Sequence, residues 1–333
     1  MSNHVTIADV ANHLGVSKST VSHALSGKRR ISTEVRRQVM EAVEELGYRP
    51  NFAARIMNTR RTGLIGVLVE SLKNPYTTAL LEELDRELSR HSLRMVLGTT
   101  NNPEDGRELL VKFSDGMVDG ILNNLPGLDE AEARRLADGV PVVTYLRHTE
   151  SPLVIDFAAG TRTALAYLTE LGHSDIAIVS LGSRAEPGKP DPCLTAYREW
   201  SRCPNDPSLI FRVPEGTTEA GFELAEALFA SRATAVLAGN DAVSAGMIQW
   251  AIDRNIRIPE RMSIVGFDNS SLAKMTFPPL TTLDLPIGKL AAHTVRVLLA
   301  AILPDELLPE PLTIVPELIV RKSTIPFQVC PLK

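Results

Sequence analysis

Between Thr6 and Gly47 apolar residues recur at helical spacing in three short runs, and the first two are joined by so little chain that only a sharp corner fits. In the first run Ile7, Val10, Ala11 and Leu14 fall on one face. Thr6 stands at its cap, and Asp9, three residues on, sets up a capping box. Gly15 ends the run, supplying the left-handed conformation that a tight helix–helix corner needs. Ser17 can cap a second helix over Lys18–Leu25, whose Val21, Ala24 and Leu25 turn inward beside Val16. A third helix, from about Ser32 to Leu46 and closed by Gly47, turns Val35, Val39, Ala42, Val43 and Leu46 inward. The pattern predicts a small all-α core with a helix-turn-helix at its front.

The outward face of the second helix is Lys18, Ser19, Ser22 and His23, all close to the helix start. Short polar or cationic side chains near an N-terminal end are what a helix needs to read base edges in a major groove. Lys18 can donate to guanine, whereas Ser19 and His23 read bases less uniquely. Thr6, Ser17, Thr20, Ser22 and Ser32 suit phosphate contact or helix capping, and most would cap helices in a protein that never met DNA. In the loop Gly27-Lys-Arg-Arg30, Arg29 can reach a backbone or a base edge. The whole chain carries a net charge of −5, which by itself argues against nucleic acid. The distribution reverses this: residues 1–61 hold ten Lys and Arg against five acidic residues, leaving the remainder strongly acidic. A basic head on an acidic body can grip DNA by the head alone.

From Gly63 onward short β-rich runs alternate with amphipathic helices. Strands are expected at Leu64–Val69, Leu93–Thr99, Val118–Asn123, Val142–Tyr145, Leu153–Asp156, Ile176–Leu181, Ala235–Ala238 and Ser263–Phe267. Helices are expected at Tyr76–Arg90, Pro103–Phe113, Asp129–Ala137, Gly160–Leu171, Ala220–Phe229, Asp241–Arg254 and Ile287–Ile302, and Gly182–Pro192 as a long loop. Such alternation implies an α/β core with parallel sheets covered on both faces, and its length fits two lobes.

Motifs along the whole chain carry a resemblance. Thr6-Ile-Ala-Asp-Val-Ala, Val16-Ser-Lys-Ser-Thr-Val-Ser-His23, Gly47-Tyr-Arg-Pro-Asn51 and Ile65-Gly-Val occur in order. They are followed by Val118-Asp-Gly-Ile121, Leu171-Gly-His173, Gly239-Asn-Asp241, Val265-Gly-Phe-Asp268, Pro278-Pro-Leu-Thr-Thr282 and Leu318-Ile-Val-Arg-Lys-Ser-Thr324. The chain resembles the LacI/GalR family of bacterial transcription regulators. The resemblance implies a helix-turn-helix domain over 1–49, a hinge over 50–61 and a periplasmic-binding-protein-like clamshell over 62–333. The N-lobe would take about 62–158 and 287–316, and the C-lobe about 159–284 and 317–333, with crossings near Phe157–Gly160, Asp284–Ile287 and Pro316.

It further implies a dimer on a near-palindromic double-stranded operator, acting as a repressor, with a sugar-like metabolite in the cleft. Paired hinges would order over the minor groove, with Asn51 among the DNA-binding residues, Arg55 on phosphate and Met57, where the family usually has Leu, wedged into the central base step. Tyr76, Asn123, Asp156, Asn240 and Asp268 match effector-binding positions, although each can also serve as a loop or helix cap. Two departures stand out: Cys193 replaces an arginine of sugar-binding relatives, and Gly216 an aromatic wall. Arg184, Lys189 or Arg198 lie near enough in sequence to substitute. The altered pocket leaves an alternative, control by a phosphorylated carrier protein.

No cofactor or metal site is expected, since Cys193, Cys203 and Cys330 lack paired or zinc-type spacing. The chain offers no Gly-x-Gly-x-x-Gly, P-loop or Gly-x-Ser-x-Gly, so no catalytic site is expected either. The polar N-terminus and the absence of a long apolar run predict a cytoplasmic protein with no membrane partner.

Overall fold

In the computed structural model, which describes residues 5–26, 31–48, 61–125, 127–145, 153–182, 190–201, 206–303 and 305–327, the amino-terminal unit is built from three helices. They are α1 (Ile7–Leu14), α2 (Lys18–Ser26) and α3 (Thr33–Glu45). Each begins on a side chain that the sequence marks as a cap. The Thr6 amide and hydroxyl donate to Asp9 Oδ2 at 2.8 and 2.7 Å, the Thr20 amide to Ser17 Oγ at 3.1 Å, and the Val35 amide to Ser32 Oγ at 3.3 Å. Gly15 turns the corner at φ 67°, and the Val16 amide closes the end of α1 on the Ala11 carbonyl at 3.0 Å. Val10, Ala11, Val21, Ala24, Val39 and Ala42 form the buried centre, with Ile7, Leu14, Leu25, Val35, Val43 and Leu46 packed around it.

The second unit, 63–333, holds two parallel-type sheets. The first is built from β1 (Leu64–Val69), β2 (Arg94–Thr99), β3 (Gly120–Asn124) and β4 (Val142–Thr144), in the order β2-β1-β3-β4 and wholly parallel. Its interleaved helices are α4 (Pro75–Arg90), α5 (Pro103–Ser114) and α6 (Glu130–Leu136). Alternate residues sort the two faces as strand geometry requires. Ile65, Val67 and Val69 of β1 pack with Leu80, Leu84 and Leu88 of α4, while Leu68 joins Leu110 and Phe113 of α5.

The chain then passes through β5 (Leu153–Ile155), α7 (Phe157–Glu170), β6 (Ile176–Leu181), α8 (Pro192–Trp200), β7 (Ile210–Val213), α9 (Thr218–Ala230), β8 (Ala235–Leu237), α10 (Asp241–Asp253), β9 (Ser263–Asp268), α11 (Ser271–Met275) and β10 (Thr281–Asp284). Three elements follow: α12 (Ile287–Ile302), β11 (Leu312–Ile314) and β12 (Glu317–Ile319). The second sheet runs β12-β10-β9-β8-β6-β7, with only β12 antiparallel among its described strands. Residues of α12 return to the first sheet, where a Cβ on Gly120 would stand 2.9 Å from Leu298 Cδ1. A short ladder of β5 with β11 lies along the route between the sheets, and the Asp156 amide there donates to the Ile314 carbonyl at 2.9 Å.

Several elements depart from expectation. Phe157–Gly160, expected as a crossing, is the first turn of α7, because Asp156 Oδ1 caps it through the Ala159 amide at 2.8 Å. Gly160 nonetheless lies against the later passage, 3.0 Å from the Pro316 ring at its Cβ position. Pro192, expected at a loop end, opens α8, whose cap is Asp191. Residues 183–189 of that expected loop lie outside the described residues. Strands β7, β10, β11 and β12, three or four residues each, were not foreseen.

Helices α9 and α10 meet backbone to backbone. A Cβ on Gly221 would collide with the Val243 carbonyl, and one on Gly246 with the Thr218 carbonyl. Backbone cannot swing aside as a side chain does. Gly246→Ala is therefore expected to lose roughly 2–3 kcal/mol in urea denaturation. Gly288, near the start of α12 with nothing within 4 Å of its Cβ position, is the control. Its alanine variant should be neutral or stabilised by under about 1 kcal/mol.

Candidate functional site

On the head, Lys18, Ser19 and Ser22 are exposed and Thr20 and His23 half-buried. Ser17 Oγ meets Ser19 Oγ at 2.7 Å and Thr20 Oγ1 at 2.8 Å, so these three hydroxyls brace the start of α2. Thr6 is engaged with Asp9. The Thr6 amide first, then its hydroxyl, with Lys18 a smaller contributor, hold the Asp9 carboxyl below the ordinary carboxylate range. Lys18, Ser22 and His23 make no side-chain hydrogen bond among the described residues and face outward together. Arg29, Asn51, Arg55 and Met57 lie outside the described residues.

In the second unit a cavity of about 130 Å³ opens between the two sheets, and Tyr76, Asn240 and Asp268 line it with Asn124, Phe157 and Glu215. Asn240 and Asp268 follow or end strands of the second sheet, the place where open α/β sheets hold ligands. Asp268 sits at φ 109°, a conformation unfavourable for a side-chain-bearing residue, which marks it as constrained by its surroundings. Asn74 Nδ2 donates to Asp268 Oδ2 at 3.4 Å, and the Tyr76 hydroxyl to the Leu285 carbonyl at 3.4 Å. Burial, and then the Asp268 and Asp284 carboxylates, push the Tyr76 hydroxyl well above its usual pKa, so it stays a proton donor. Asn240 caps α10 through the Val243 amide at 2.8 Å and donates from Nδ2 to the Gly216 carbonyl at 2.9 Å.

The cavity does not gather Asn123 or Asp156. Asn123 is paired with Leu68 in the sheet and buried, its Oδ1 taken by the Leu125 amide at 3.2 Å. Its neighbour Asn124 lines the cavity instead, because successive strand residues point to opposite faces. Asp156 spends its side chain on the cap of α7. The two departures have structural reasons. Cys193 is buried in the apolar cluster with Leu194 and Tyr197, and a Cβ at Gly216 would collide with the Asn240 amide, so a side chain there requires Asn240 to move. The space left by the missing wall is filled by Asn240.

Sequence reasoning missed Asn124, Phe157 and Glu215 of the lining, and also Asp241 just behind it. Asp241, fully buried, accepts the Thr282 hydroxyl at 2.5 Å on Oδ1 and the Ser270 amide at 2.7 Å on Oδ2, holding the backbone just after Asp268. Its only signal was the coincidence of Gly239-Asn-Asp241 with Pro278-Pro-Leu-Thr-Thr282. Among the described residues no helix is long and apolar enough to cross a membrane.

Residues 6–51 match the family described as bacterial regulatory proteins, lacI family, and residues 165–324 the periplasmic binding protein-like domain. The HTH-type transcriptional regulator DegA of Bacillus subtilis is 30% identical over 337 residues, covering 96% of this chain and 98% of that protein. The chain belongs to the lacI family. As a lacI-family protein it is a DNA-binding transcriptional regulator, and the relatives it matches are regulators rather than enzymes. Catabolite control protein A of Priestia megaterium is 29% identical over 305 residues, 89% of this chain and 92% of that one. The lac repressor dimer, solved bound to operator and the anti-inducer ONPF, aligns with a TM-score of 0.83 at 22% identity over 97% of this chain and 100% of that one. That likeness establishes the shared lacI-family fold.

Burial raises the Asp241 carboxyl from 3.8 to about 6, against the pull of the Thr282 and Ser270 hydrogen bonds. The folded state therefore keeps this proton where the unfolded chain has lost it. Its stabilising contribution is full below about 3.8 and is lost as pH rises through about 6. Between pH 4 and 7 the wild type should lose roughly 2–3 kcal/mol relative to Asp241→Asn. Parallel pH profiles of the two proteins in urea denaturation would refute this.

Proposed function

We propose that this regulator is a cytoplasmic repressor that binds a near-palindromic operator as a homodimer. It would work through a head (1–49), a hinge (50–61) and a two-lobed core (62–333) whose cleft takes a small polar metabolite. The observation that carries the reading is the group of exposed Lys18 and Ser22 with half-buried His23 at the front of a capped, packed helix-turn-helix. Lys18, Ser19 and His23 read base edges, with Ser22 beside them, while Thr6, Ser17, Thr20, Arg29, Asn51 and Arg55 fix the register on phosphates and Met57 wedges the central step. One such head reads too few base pairs for specific affinity, so two are required. Support for a self-association face comes from Met275 and Phe277, apolar side chains left 76% and 82% exposed at the end of α11. Tyr76, Asn240 and Asp268, with Asn124 added, contact the effector; Asn123 and Asp156 hold the strand end and helix start behind them. A polar ligand fits this lining of amides, carboxylates and hydroxyls.

Selection of bound duplexes from a random library tests the head. A palindromic site should emerge, weakened by Met57→Gly at its centre. Lys18→Ala should relax one base pair in each half-site at a cost of about 1–3 kcal/mol. If no site is enriched, the reading fails. Phe277→Asp should turn the dimer to monomer in light scattering and reduce operator affinity; an unchanged dimer would place the contact elsewhere.

In a second reading a phosphorylated carrier protein governs the core in place of a metabolite. Capture of such a carrier by the purified regulator, with no response of operator affinity to metabolites, would decide for it.

A further inference from the structure

Beside the cleft lies a second and larger cavity, of about 450 Å³, at the carboxyl ends of β6 and β7. Leu181 lines both, and the turn Pro214-Glu215-Gly216 divides them: Pro214 faces the second cavity, Glu215 and Gly216 the first. Two guanidinium groups line the second cavity, Arg198 from α8 and Arg212 from β7. Neither makes a side-chain hydrogen bond or ion pair among the described residues. Several other arginines of this unit are occupied. Arg107 and Arg232 pair with carboxylates at 2.7 and 2.8 Å, and Arg321 donates to the Leu280 carbonyl at 2.7 Å. Glu199, next to Arg198 in the chain, faces Arg162 at 4.0 Å instead.

Asp191, the one carboxylate among the described residues of the wall, does not neutralise the pair. Its Oδ1 takes the Cys193 and Leu194 amides at 2.8 and 3.3 Å, and its Oδ2 takes the Ser180 hydroxyl. Two cations from different elements on one concavity, without a counter-charge among the described residues, make a site for an oxyanion. Arg198 does not stand in for the arginine expected at Cys193, since it lines the second cavity and not the cleft. Arg198 is five residues along α8, about 140° round the helix axis. Cys193 therefore turns into the core while Arg198 turns into the second cavity.

We propose that this cavity is a binding site, distinct from the cleft, for a small phosphorylated polyol. Arg198 and Arg212 fork onto the phosphate oxygens. The remaining lone pair of Asp191 Oδ2 and the Thr195 hydroxyl oxygen accept from the ligand's hydroxyls. The volume lies within the range of small-molecule sites and exceeds that of the cleft cavity. The site goes beyond the operator and cleft reading and does not depend on it.

Isothermal titration of the full-length protein with glycerol 3-phosphate, inorganic phosphate and glycerol tests this. Glycerol 3-phosphate should bind saturably, phosphate more weakly, and glycerol not measurably. The Arg198→Gln/Arg212→Gln variant should lose at least about tenfold in affinity. Both side chains are exposed and unpartnered, so its thermal midpoint in phosphate-free buffer should match wild type. Single Arg→Lys variants, which keep charge but lose the fork, should fall between. Absence of binding by both phosphate compounds overturns the proposal. So does equal binding by the double variant, which would assign the anion to the cleft or the basic head. Duplex selection without added phosphate tests the operator reading separately, so the two can fail independently.

Discussion

Two neighbouring side chains, Asn240 and Asp241, hold together the end of the second sheet on which the cleft is built. Asn240 caps α10 and reaches across to the Gly216 carbonyl. Asp241 grips Thr282 of β10 and the Ser270 amide after β9. Four segments distant in sequence are thereby fixed by two consecutive residues at one helix start. A charged side chain so deeply buried is costly unless its acceptors are filled. Both oxygens of Asp241 are filled, yet its carboxyl is still pushed up to about 6. The strained backbone at Asp268 persists because this network over-determines the turn that follows it.

The close approach of α9 and α10 serves the same end. Two glycines allow the helices to touch through their backbones, which sets the start of α10, and hence Asn240, against the turn at Gly216. Gly216 is part of that fit. An aromatic residue there would have to evict the Asn240 amide, so its absence and the position of Asn240 are one structural choice. In the head the scale is different: six small or medium apolar side chains form the whole buried centre. So small a core gains proportionately more from its caps. The Thr6–Asp9 and Ser17–Thr20 bonds keep the helix starts in place while leaving Lys18, Ser22 and His23 outward.

What was legible in the sequence follows the length of each periodic signal. Leu64–Val69, Ile176–Leu181 and Ile287–Ile302 coincide with their expected bounds, because six or more residues of consistent pattern fix both kind and register. The three head helices were legible for the same reason, aided by their caps and glycine stops. Short strands were legible only in part: β4, β5 and β8 fall within expected apolar runs, whereas β7 and β12 are made by the neighbours that pair with them. The cleft was harder to read. Tyr76, Asn240 and Asp268 do line it, but Asn123 and Asn124 differ by one strand position, and one position reverses the face. Asp156 carried an equally good reading as a cap, and capping is how its side chain is used. No local pattern distinguishes a polar residue at a strand end that faces a ligand from one that closes a helix.

The contacts across the cleft bear on how a ligand could act on it. Asn74 to Asp268 at 3.4 Å, Asn101 to Glu215 at 3.0 Å and Tyr76 to the Leu285 carbonyl at 3.4 Å join segments of the first sheet to segments around the second. Each is a single hydrogen bond with a net contribution of about 0.5–1.5 kcal/mol, weaker where the distance is long. Together they amount to a few kcal/mol, the same order as the coupling energies that link two sites in regulated proteins. Bonds of this strength can be redistributed by a ligand of modest affinity, provided the ligand treats the two arrangements differently. A polar molecule that replaced Asn74 at Asp268 and Asn101 at Glu215 would meet that condition, since it would remove bonds that exist only while the sheets are close. A ligand that merely filled the remaining space would bind without shifting anything. Under the proposed reading, the regulatory content of this cleft therefore resides in which of these three bonds a ligand breaks, more than in how tightly it is held.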